Sequence, residues 1–322
     1  MPMLSNERSI VVGVDGSEGA RLALKWAADE ARLRDLVLRI VCAGTPHPGE
    51  FCATFDVFHL SAAGKVVEEA VGLAASRHPD VIVRGEPATG PPAEALLAAS
   101  QTADLLVVGA RGAGGFLGLR LGSVSRRCLR RATRPVAVVH SHPADPAELR
   151  TGRIVVGIDG SEGSHAALRW AVEEAERREA TVAAVFAWQY GPVGSYLPMP
   201  KGGYEAAARR VVEAAKVNAL QWRPGVPVEA VPMIGSTVTI LMNESGRADV
   251  LVVGQHGRSH LQELLVGSTA DECAHYAYCP VVVVPQQPSE GDSTADGKAA
   301  SDATVADRND PAPTAGPIAA HA

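Results

Sequence analysis

The sequence contains the segment Asp104-Leu105-Leu106-Val107-Val108-Gly109-Ala110-Arg111-Gly112, which is followed nine residues later by Gly122-Ser123. An apolar run of this length is typical of a strand that is buried on both faces of a sheet. Glycine permits positive φ angles and close approach of the backbone where such a strand ends. The Gly-Ser pair precedes a helical pattern, and the start of a helix offers free N–H groups. The combination predicts a phosphate-binding loop.

The same pattern returns in the second half of the chain. The segment Asp249-Val250-Leu251-Val252-Val253-Gly254-Gln255-His256-Gly257 is again followed, after nine residues, by Gly267-Ser268. The first apolar run, Ile10-Val11-Val12-Gly13-Val14-Asp15-Gly16-Ser17-Glu18, returns as Ile154-Val155-Val156-Gly157-Ile158-Asp159-Gly160-Ser161-Glu162. A repeat of this length indicates tandem domains rather than a solenoid. We predict domain 1 at residues 1–144, a linker at 145–152, domain 2 at 153–286 and a disordered acidic tail at 287–322.

Within each unit, apolar strand patterns alternate with helical patterns in the order β-α-β-α-β-α-β-α-β. Continuous apolar strands require a parallel sheet with helices on both faces. We therefore predict two tandem Rossmann-like α/β domains, each a five-stranded parallel sheet covered by helices on both sides. In the first unit, Pro46, Pro48 and Gly49 predict a loop over residues 45–58, with a helix from Leu60 to Arg77.

Ligands of such sheets bind at the carboxyl ends of the strands, where Asp15 and Gly109 are both predicted to lie. In this interpretation Gly109 and Gly112 let the loop pass under a phosphate chain. The N–H groups of Gly122 and Ser123, with the Ser123 hydroxyl, close on the phosphates. Asp15 accepts from a ribose hydroxyl or a base, or faces a hydrated Mg²⁺. The second unit repeats the set with Asp159, Gly254, Gly257, Gly267 and Ser268.

A purely structural interpretation competes with this one, because strand-turn-helix junctions use glycine anyway and Gly-Ser is an ordinary helix cap. Two copies with identical spacers, each paired with an aspartate after the first strand, favour a binding site. Duplication inherits both copies together, so the two observations are not independent.

At these residues the chain resembles the universal stress protein family, and specifically its tandem two-domain members. The signature Gly-x2-Gly-x9-Gly-Ser, with Val-Asp-Gly-Ser at the first strand, looks like the ATP-binding signature of that family. The resemblance covers residues of about 10–140 and 153–285 and implies a HUP-type fold with adenine nucleotide at the carboxyl edge. It implies that the glycine and serine positions named above hold phosphates and ribose, and that Asp15 and Asp159 contact the nucleoside.

The resemblance also implies contacts beyond the glycine loops. Main chain near Ala43 and Ala187, at the ends of the second strands, would meet the adenine edge. Ser125 fits the Gly-Ser-Val-Ser run that is common in the family, whereas the second unit has Ala270 at that position, so its site departs from the pattern. The implied function is an ATP-binding, nucleotide-dependent stress-response module without robust catalysis, with ATP, and with it Mg²⁺, as cofactor.

The sequence lacks the signature motifs of several enzyme classes. It contains no GxxxxGKS motif, no GxGxxG motif after a strand and no GxSxG elbow. His256 and His260 have no evident third ligand, so we predict no metal site of the protein's own. No acid–base pair with a defined role can be named, and we therefore name no catalytic residue. The alternatives that stay open are a slow ATPase, a cyclic-AMP binder and a partner-binding module.

Charge and composition exclude further classes. Six acids and two bases follow residue 286, so the tail carries −4 and leaves only −2 of the total charge of −6 to the rest of the chain. A nearly neutral body predicts no nucleic-acid partner. No apolar run approaches membrane-spanning length, and Met1–Arg8 has no apolar signal core, so we predict a cytoplasmic protein without membrane contact. Five cysteines without a CxxC pair are consistent with reduced thiols.

The last helix of each unit suggests how the units pair. The first carries Arg126, Arg127, Arg130 and Arg131, and the corresponding positions of the second hold Asp271, Glu272, His275 and Tyr276. Basic against acidic residues at related positions favours intramolecular packing of the two domains about a pseudo-twofold axis. A solvated basic face is the alternative, and whether two chains form a homodimer stays open.

Overall fold

The computed structural model describes residues 7–44, 53–113, 120–140, 151–189, 203–257 and 266–286. All of these residues belong to one unit of the fold, Met1–Gln287. Most of the predicted linker and the whole predicted tail lie outside the described residues.

In the first half, strands and helices alternate as the sequence predicts. The elements are β1 (Ser9–Gly13), α1 (Glu18–Arg34), β2 (Val37–Gly44), α2 (Ala53–Arg77), β3 (Val83–Thr89), α3 (Pro92–Ser100), β4 (Leu105–Gly109), α4 (Ser123–Arg131) and β5 (Val136–Val139).

The second half repeats this order. Its elements are β6 (Arg153–Gly157), α5 (Glu162–Arg178), β7 (Thr181–Trp188), α6 (Gly203–Trp222), β8 (Val228–Ile234), α7 (Thr237–Ser245), β9 (Val250–Gly254), α8 (Ser268–Tyr276) and β10 (Val281–Val284).

One predicted boundary in the first half is wrong. Helix α2 begins at Ala53, so the end of the predicted loop at 45–58 is helical. The prolines and glycine that predicted the loop end at Gly49, and nothing after them opposes a helix. Strand β3 starts at Val83 and runs through Pro87, which is tolerated because β3 lies at the edge of the sheet.

The two halves share one ten-stranded sheet with the order β3-β2-β1-β4-β5-β10-β9-β6-β7-β8. Within each half all strand pairs are parallel, as predicted. The halves join where β5 and β10 pair antiparallel, with Val138 opposite Val281 and Val136 opposite Val283. The α/β prediction is confirmed, and the continuity of the two sheets is an addition to it.

Alternate residues of the buried strands pack into two cores, one on each face of the sheet. Ile10 and Leu105 face the side covered by α1, α2, α5 and α6. Val11 and Leu106 face the side covered by α3, α4, α7 and α8. Chain order reverses between β1 and β4, and again between β6 and β9, which makes each pair a topological switch point.

A buried ion cluster joins the last turns of α1 and α5. Arg34 donates to Glu30 of its own helix (3.1 Å) and to Glu174 of the other half (2.5 Å). Arg178 donates to Glu174 (2.7 Å) and crosses back to Glu30. The four side chains are at most 8% exposed. We call these four residues the ion cluster, and its two Glu-x3-Arg pairs repeat at an offset of 144 residues.

The two carboxylates of the ion cluster differ in their ionisation. Burial and the neighbouring Glu174 raise the pKa of Glu30 to about 7. Burial opposes ionisation of Glu174 as well, but the two arginines outweigh it and lower the pKa of Glu174 to about 2. The hydrogen bond between the two carboxyl groups adds to the asymmetry, because it raises the pKa of Glu30 and lowers that of Glu174.

Contacts between the last helices only partly follow the predicted charge pattern. Arg126 of α4 lies 3.1 Å from the Nε2 atom of His275 on α8, so the two helices do meet. Arg127 and Arg131 instead pair with Glu94 of their own half, at 3.7 and 2.7 Å.

No described helix is both long and apolar enough to cross a membrane.

Candidate functional site

The carboxyl ends of β1 and β4 lie side by side, because Ile10 pairs with Leu105 and Val12 with Val107. Asp15 follows β1 and is exposed. Its Oδ1 atom accepts a hydrogen bond from the N–H of Ser17 (3.0 Å), and its Oδ2 atom accepts one from the N–H of Ala113 (2.7 Å). One carboxylate therefore fastens the loop after β1 to the loop after β4.

The glycines of the loop after β4 are required by close packing. A Cβ atom at Gly112 would overlap the carboxylate of Asp15, and one at Gly109 would lie 2.7 Å from the backbone of Gly19. Gly19, in turn, lies against the carbonyl of Arg111. The first turn of α1 thus rests directly on this loop, which brings Gly109, Gly112 and Asp15 together as the sequence predicts.

Helix α4 begins at this edge without a side-chain cap. Its N-cap residue is Gly122, whose N–H donates to the carbonyl of Ala110 (2.7 Å), and within the described residues no side chain caps the helix. The first helical residue, Ser123, is exposed. By contrast, Ser17 caps α1 by accepting from the N–H of Ala20 (3.1 Å). The first turn of α4 therefore keeps N–H groups that suit an anion.

Ser125 contributes to the site through the loop. Its side chain is buried, and its hydroxyl donates to the carbonyl of Gly109 (2.7 Å). The hydroxyl thus stabilises the position at which β4 ends. The second half has Ala270 at this position, which is buried and carries no hydroxyl.

The second half repeats this geometry at the edge formed by β6 and β9. The Oδ1 atom of Asp159 accepts from the N–H (2.9 Å) and the hydroxyl (2.6 Å) of Ser161. A Cβ atom at Gly257 would lie 2.7 Å from Asp159, and one at Gly254 would lie 2.7 Å from the backbone of Gly163.

Helix α8 also begins uncapped by any described side chain. Gly267 is its N-cap and donates to the carbonyl of Gln255 (2.8 Å). Ser268 is the first helical residue and is exposed. The structure therefore brings each predicted glycine-serine pair to the edge at which the matching aspartate lies.

Ala43 and Ala187 lie at the same edges, near the ends of β2 and β7. These strands flank β1 and β6, and the chain beyond each first strand is bonded to them, Val14 to Val41 (2.9 Å) and Ile158 to Val185 (2.8 Å). Both alanines are partly exposed, and they lie at the same sheet edges as the two aspartates.

Titratable groups near the first site are few among the described residues. Burial raises the pKa of the Cys42 thiol, and the charge of Asp15 adds to the effect, so this thiol stays protonated and is a poor nucleophile. No cluster of three or more His, Cys, Asp or Glu residues in the described ranges is arranged to hold a metal ion. His256 lies on the loop after β9, whereas His260 lies outside the described residues.

The sequence reasoning missed three contributors to the site: Gly19, Gly163 and Ala113. The two glycines allow the close approach of helix and loop, and the N–H of Ala113 fixes Asp15. The signal for the glycines was present, since Ser17-Glu18-Gly19 repeats as Ser161-Glu162-Gly163. Ala113 donates through its backbone, which no residue type reveals.

Comparison with known proteins matches the chain in two separate stretches. The model of the family described as "Universal stress protein family" matches residues 7–140 and again 151–285. A universal stress protein of Mycobacterium tuberculosis, Rv2005c, is 32% identical over 291 residues, covering 87% of this chain and 98% of the relative. Another from the same organism, Rv2623, is 31% identical over 288 residues, covering 85% and 95%.

A solved structure shows the same fold at lower sequence identity. The crystal structure of a universal stress protein from Archaeoglobus fulgidus superposes with a TM-score of 0.68 at 18% identity, covering 88% of this chain and all of that one. At this identity the likeness concerns the fold alone.

Proposed function

Because this chain belongs to the universal stress protein family, as a member with two such domains in tandem, we propose that it binds adenine nucleotide at the carboxyl edge of each half. The ligand is ATP with Mg²⁺, and the protein is a cytoplasmic stress-response module that acts through nucleotide binding. One observation carries the proposal: at both edges an uncapped helix N-terminus and a glycine loop lie together, with the second loop glycine packed against an aspartate.

The phosphates fit the start of each last helix. In the first site, the N–H group and the hydroxyl of Ser123 are available at the positive end of the α4 dipole. The N–H of Gly122, which the sequence also assigned to the phosphates, instead donates to the carbonyl of Ala110. Gly109 and Gly112 have no side chain of their own, which lets the neighbouring loop pack directly against Gly19 and Asp15. Gly254, Gly257, Gly267 and Ser268 have the corresponding roles in the second site.

The nucleoside fits the aspartate and the end of the second strand. A carboxylate has about four lone-pair positions, and two backbone N–H groups use part of this capacity in Asp15. The remaining capacity suits a ribose hydroxyl. Asp159 has the same role in the second site, and the main chain at Ala43 and Ala187 borders the place for the base.

The site also suits a magnesium ion that arrives with the nucleotide. Mg²⁺ commonly keeps several waters and uses one or two carboxylates together with substrate phosphates. A single aspartate beside each phosphate position is consistent with that coordination and requires no dedicated cluster of protein ligands. The ion would neutralise part of the phosphate charge.

Binding rather than catalysis is the proposed role. Asp15 and Asp159 are committed to backbone groups of the loops, which suits orientation better than proton transfer. The alternatives are a slow ATPase, a cyclic-AMP binder and a partner-binding module. Each alternative predicts a different outcome when the protein is titrated with nucleotide.

The test is an equilibrium titration of the full chain with Mg-ATP. Gly112→Val and Gly257→Val place side chains against the aspartates, so each is expected to remove one site and the double variant both. Gly225→Val is the matched control, because no atom lies within 4 Å of a Cβ atom there, and it is expected to keep both sites. Wild-type stoichiometry in the double variant would contradict the proposal.

Three further readouts in the same experiment separate the alternatives. Release of ADP at a rate above that of buffer would indicate an ATPase. Displacement of ATP by lower concentrations of cyclic AMP would indicate a cyclic-nucleotide site. Absence of binding of both Mg-ATP and cyclic AMP in the wild type would leave only the partner-binding alternative.

A further inference from the structure

Each last helix reaches from its own site to the other half of the molecule. Helix α4 starts at the first site with Ser123, and α8 starts at the second site with Ser268. Both are nine residues long, and their C-terminal turns carry carbonyl groups that have no partner within the helix. Two of these carbonyls, those of Leu129 and Ala274, accept hydrogen bonds from side chains of the opposite half.

The first of these bonds comes from the loop of the second site. The Nε2 amide of Gln255 donates to the carbonyl of Leu129 (2.8 Å) in a buried hydrogen bond. The backbone of Gln255 also belongs to the site, because its N–H donates to Val284 and its carbonyl accepts from Gly267, both at 2.8 Å. One residue thus connects the start of α8 with the end of α4.

The corresponding loop residue of the first site cannot make this connection. Ala110 makes the same two backbone bonds, to Val139 (2.8 Å) and from Gly122 (2.7 Å), but its side chain is a methyl group. The first half reaches the other last helix with His140 instead, whose Nε2 atom lies 2.9 Å from the carbonyl of Ala274. Burial lowers the pKa of His140, so the neutral ring donates this hydrogen bond at neutral pH.

Leu129 and Ala274 occupy equivalent positions, 145 residues apart. The two hydrogen bonds therefore run between the halves in opposite directions. Each ends on the corresponding turn of the last helix of the other half. We call the pair Gln255–Leu129 and His140–Ala274 the crossed tethers. Each joins a residue at the carboxyl edge of one half to the helix whose N-terminus forms the site of the other half.

We propose that the two nucleotide sites are coupled through the crossed tethers, with Gln255 as the residue that positions the second loop in response to the first site. The inference rests on the proposed function. A nucleotide that holds the start of α4 also fixes its last turn, and hence the amide of Gln255 and the loop after β9. The second nucleotide then loses less conformational freedom on binding, which makes the coupling positive.

The size of the effect is bounded by the chemistry of the bond. A neutral hydrogen bond between two protein groups changes an equilibrium by up to about tenfold, with about fivefold as a typical value. We therefore expect the second Mg-ATP to bind about fivefold more tightly than two independent, identical sites would allow.

The test compares stepwise Mg-ATP affinities in the full-length wild type and in Gln255→Met, which keeps side-chain volume but cannot donate. Gln255→Ala, which introduces the residue found at position 110, is the second variant and covers a failure of the first to fold. The control is Gln286→Ala, since Gln286 is also a glutamine at this edge but bonds to the exposed Glu162 of its own half.

We expect both Gln255 variants to keep two binding steps and to lose most of the fivefold ratio, while the control retains it. A purely structural role would weaken both steps together and leave their ratio unchanged, which would overturn the inference. Two independent steps in the wild type would overturn it as well, although nucleotide binding would stand. A wild type that binds no Mg-ATP would refute the proposed function itself.

Discussion

Replacing Glu174 by glutamine tests what fastens the two halves together. The substitution keeps the shape of the side chain and removes one charge from the ion cluster. Glu174 is fully buried and accepts from Arg34 and Arg178 at 2.5 and 2.7 Å, with Arg177 at 3.4 Å. In the variant these guanidinium groups face a neutral amide, and Glu30, whose ionisation the charge of Glu174 no longer opposes, is the one carboxylate of the ion cluster left to balance two buried arginines.

The expected cost follows from that burial. Removing one partner of a buried, hydrogen-bonded ion pair destabilises a protein by about 3–5 kcal/mol, because the opposite charge stays buried without compensation. With an m value of about 3 kcal/mol/M in urea, which suits a chain of this size, the unfolding midpoint falls by roughly 1–2 M. The m value itself is expected to stay unchanged.

The assay is urea unfolding at neutral pH, followed by tryptophan fluorescence. Glu173→Gln is the matched control, because Glu173 neighbours Glu174 but is 37% exposed and lies 3.8 and 3.9 Å from its arginines. Such an exposed pair contributes less than about 1 kcal/mol. Equal midpoints for the two variants would refute the argument that the ion cluster holds the halves together.

Three further predictions concern ionisation and the first site. The pKa of Glu30 is raised from 4.5 to about 7 in the folded protein, so the folded state favours the protonated carboxyl group. The protonated group therefore adds to the free energy of unfolding below pH 4.5, and this stabilisation is lost as the pH rises through about 7. Glu30→Gln should therefore flatten the decline of unfolding free energy between about pH 5 and 8, and an unchanged slope in urea unfolding would contradict this. Gly112→Ala places a methyl group against the carboxylate of Asp15 and disturbs its hydrogen bond from the N–H of Ala113. This substitution should lower the free energy of unfolding by about 1.5–3 kcal/mol, measured by thermal unfolding. Gly72 lies on α2 with open space around its Cβ position, so Gly72→Ala should stabilise the protein by about 0.5–1 kcal/mol. Melting temperatures that shift in the same direction for Gly72→Ala and Gly112→Ala would contradict the packing argument. Ser125→Ala should cost about 1 kcal/mol through loss of its bond to the loop, whereas the exposed Ser123→Ala should change stability by less than about 0.5 kcal/mol. Equal losses of stability in the two serine variants would show that the loop does not depend on that bond.

The α/β architecture could be predicted from the sequence because strands buried on both faces appear as short runs of apolar residues. Runs such as Leu105–Gly109 and Val250–Gly254 are too short for helices and apolar throughout, and their duplication fixed the order of elements. The parallel sheet predicted Asp15 and Gly109 at one edge, because both follow the carboxyl ends of strands, and the structure packs Gly112 of the same loop against Asp15.

The joining of the halves could not be predicted from residue types. Val136–Val139 and Val281–Val284 are apolar in either strand orientation, so the antiparallel pair between them depends on how the halves meet. Glu30 and Arg34 have the i, i+4 spacing of an ordinary surface pair. Only the packing of α1 against α5 buries them, although the repeated spacing at Glu174 and Arg178 was visible.

The details of the site depend on geometry in the same way. The sequence suggested Ser125 as a ligand-facing hydroxyl, and the structure directs that hydroxyl to the carbonyl of Gly109. Gln255 gave no signal, because a glutamine beside a glycine loop is unremarkable until the carbonyl of Leu129 is placed opposite its amide.

The most direct test of the central claim is the nucleotide that accompanies the purified full-length chain. The protein would be heat-denatured, and the released nucleotide would be identified and counted by chromatography, for the wild type and for Gly112→Val with Gly257→Val. We expect the wild type to release one molecule of ATP for each half and the double variant to release none. A wild type that releases no nucleotide, and also fails to bind added Mg-ATP, would contradict the claim.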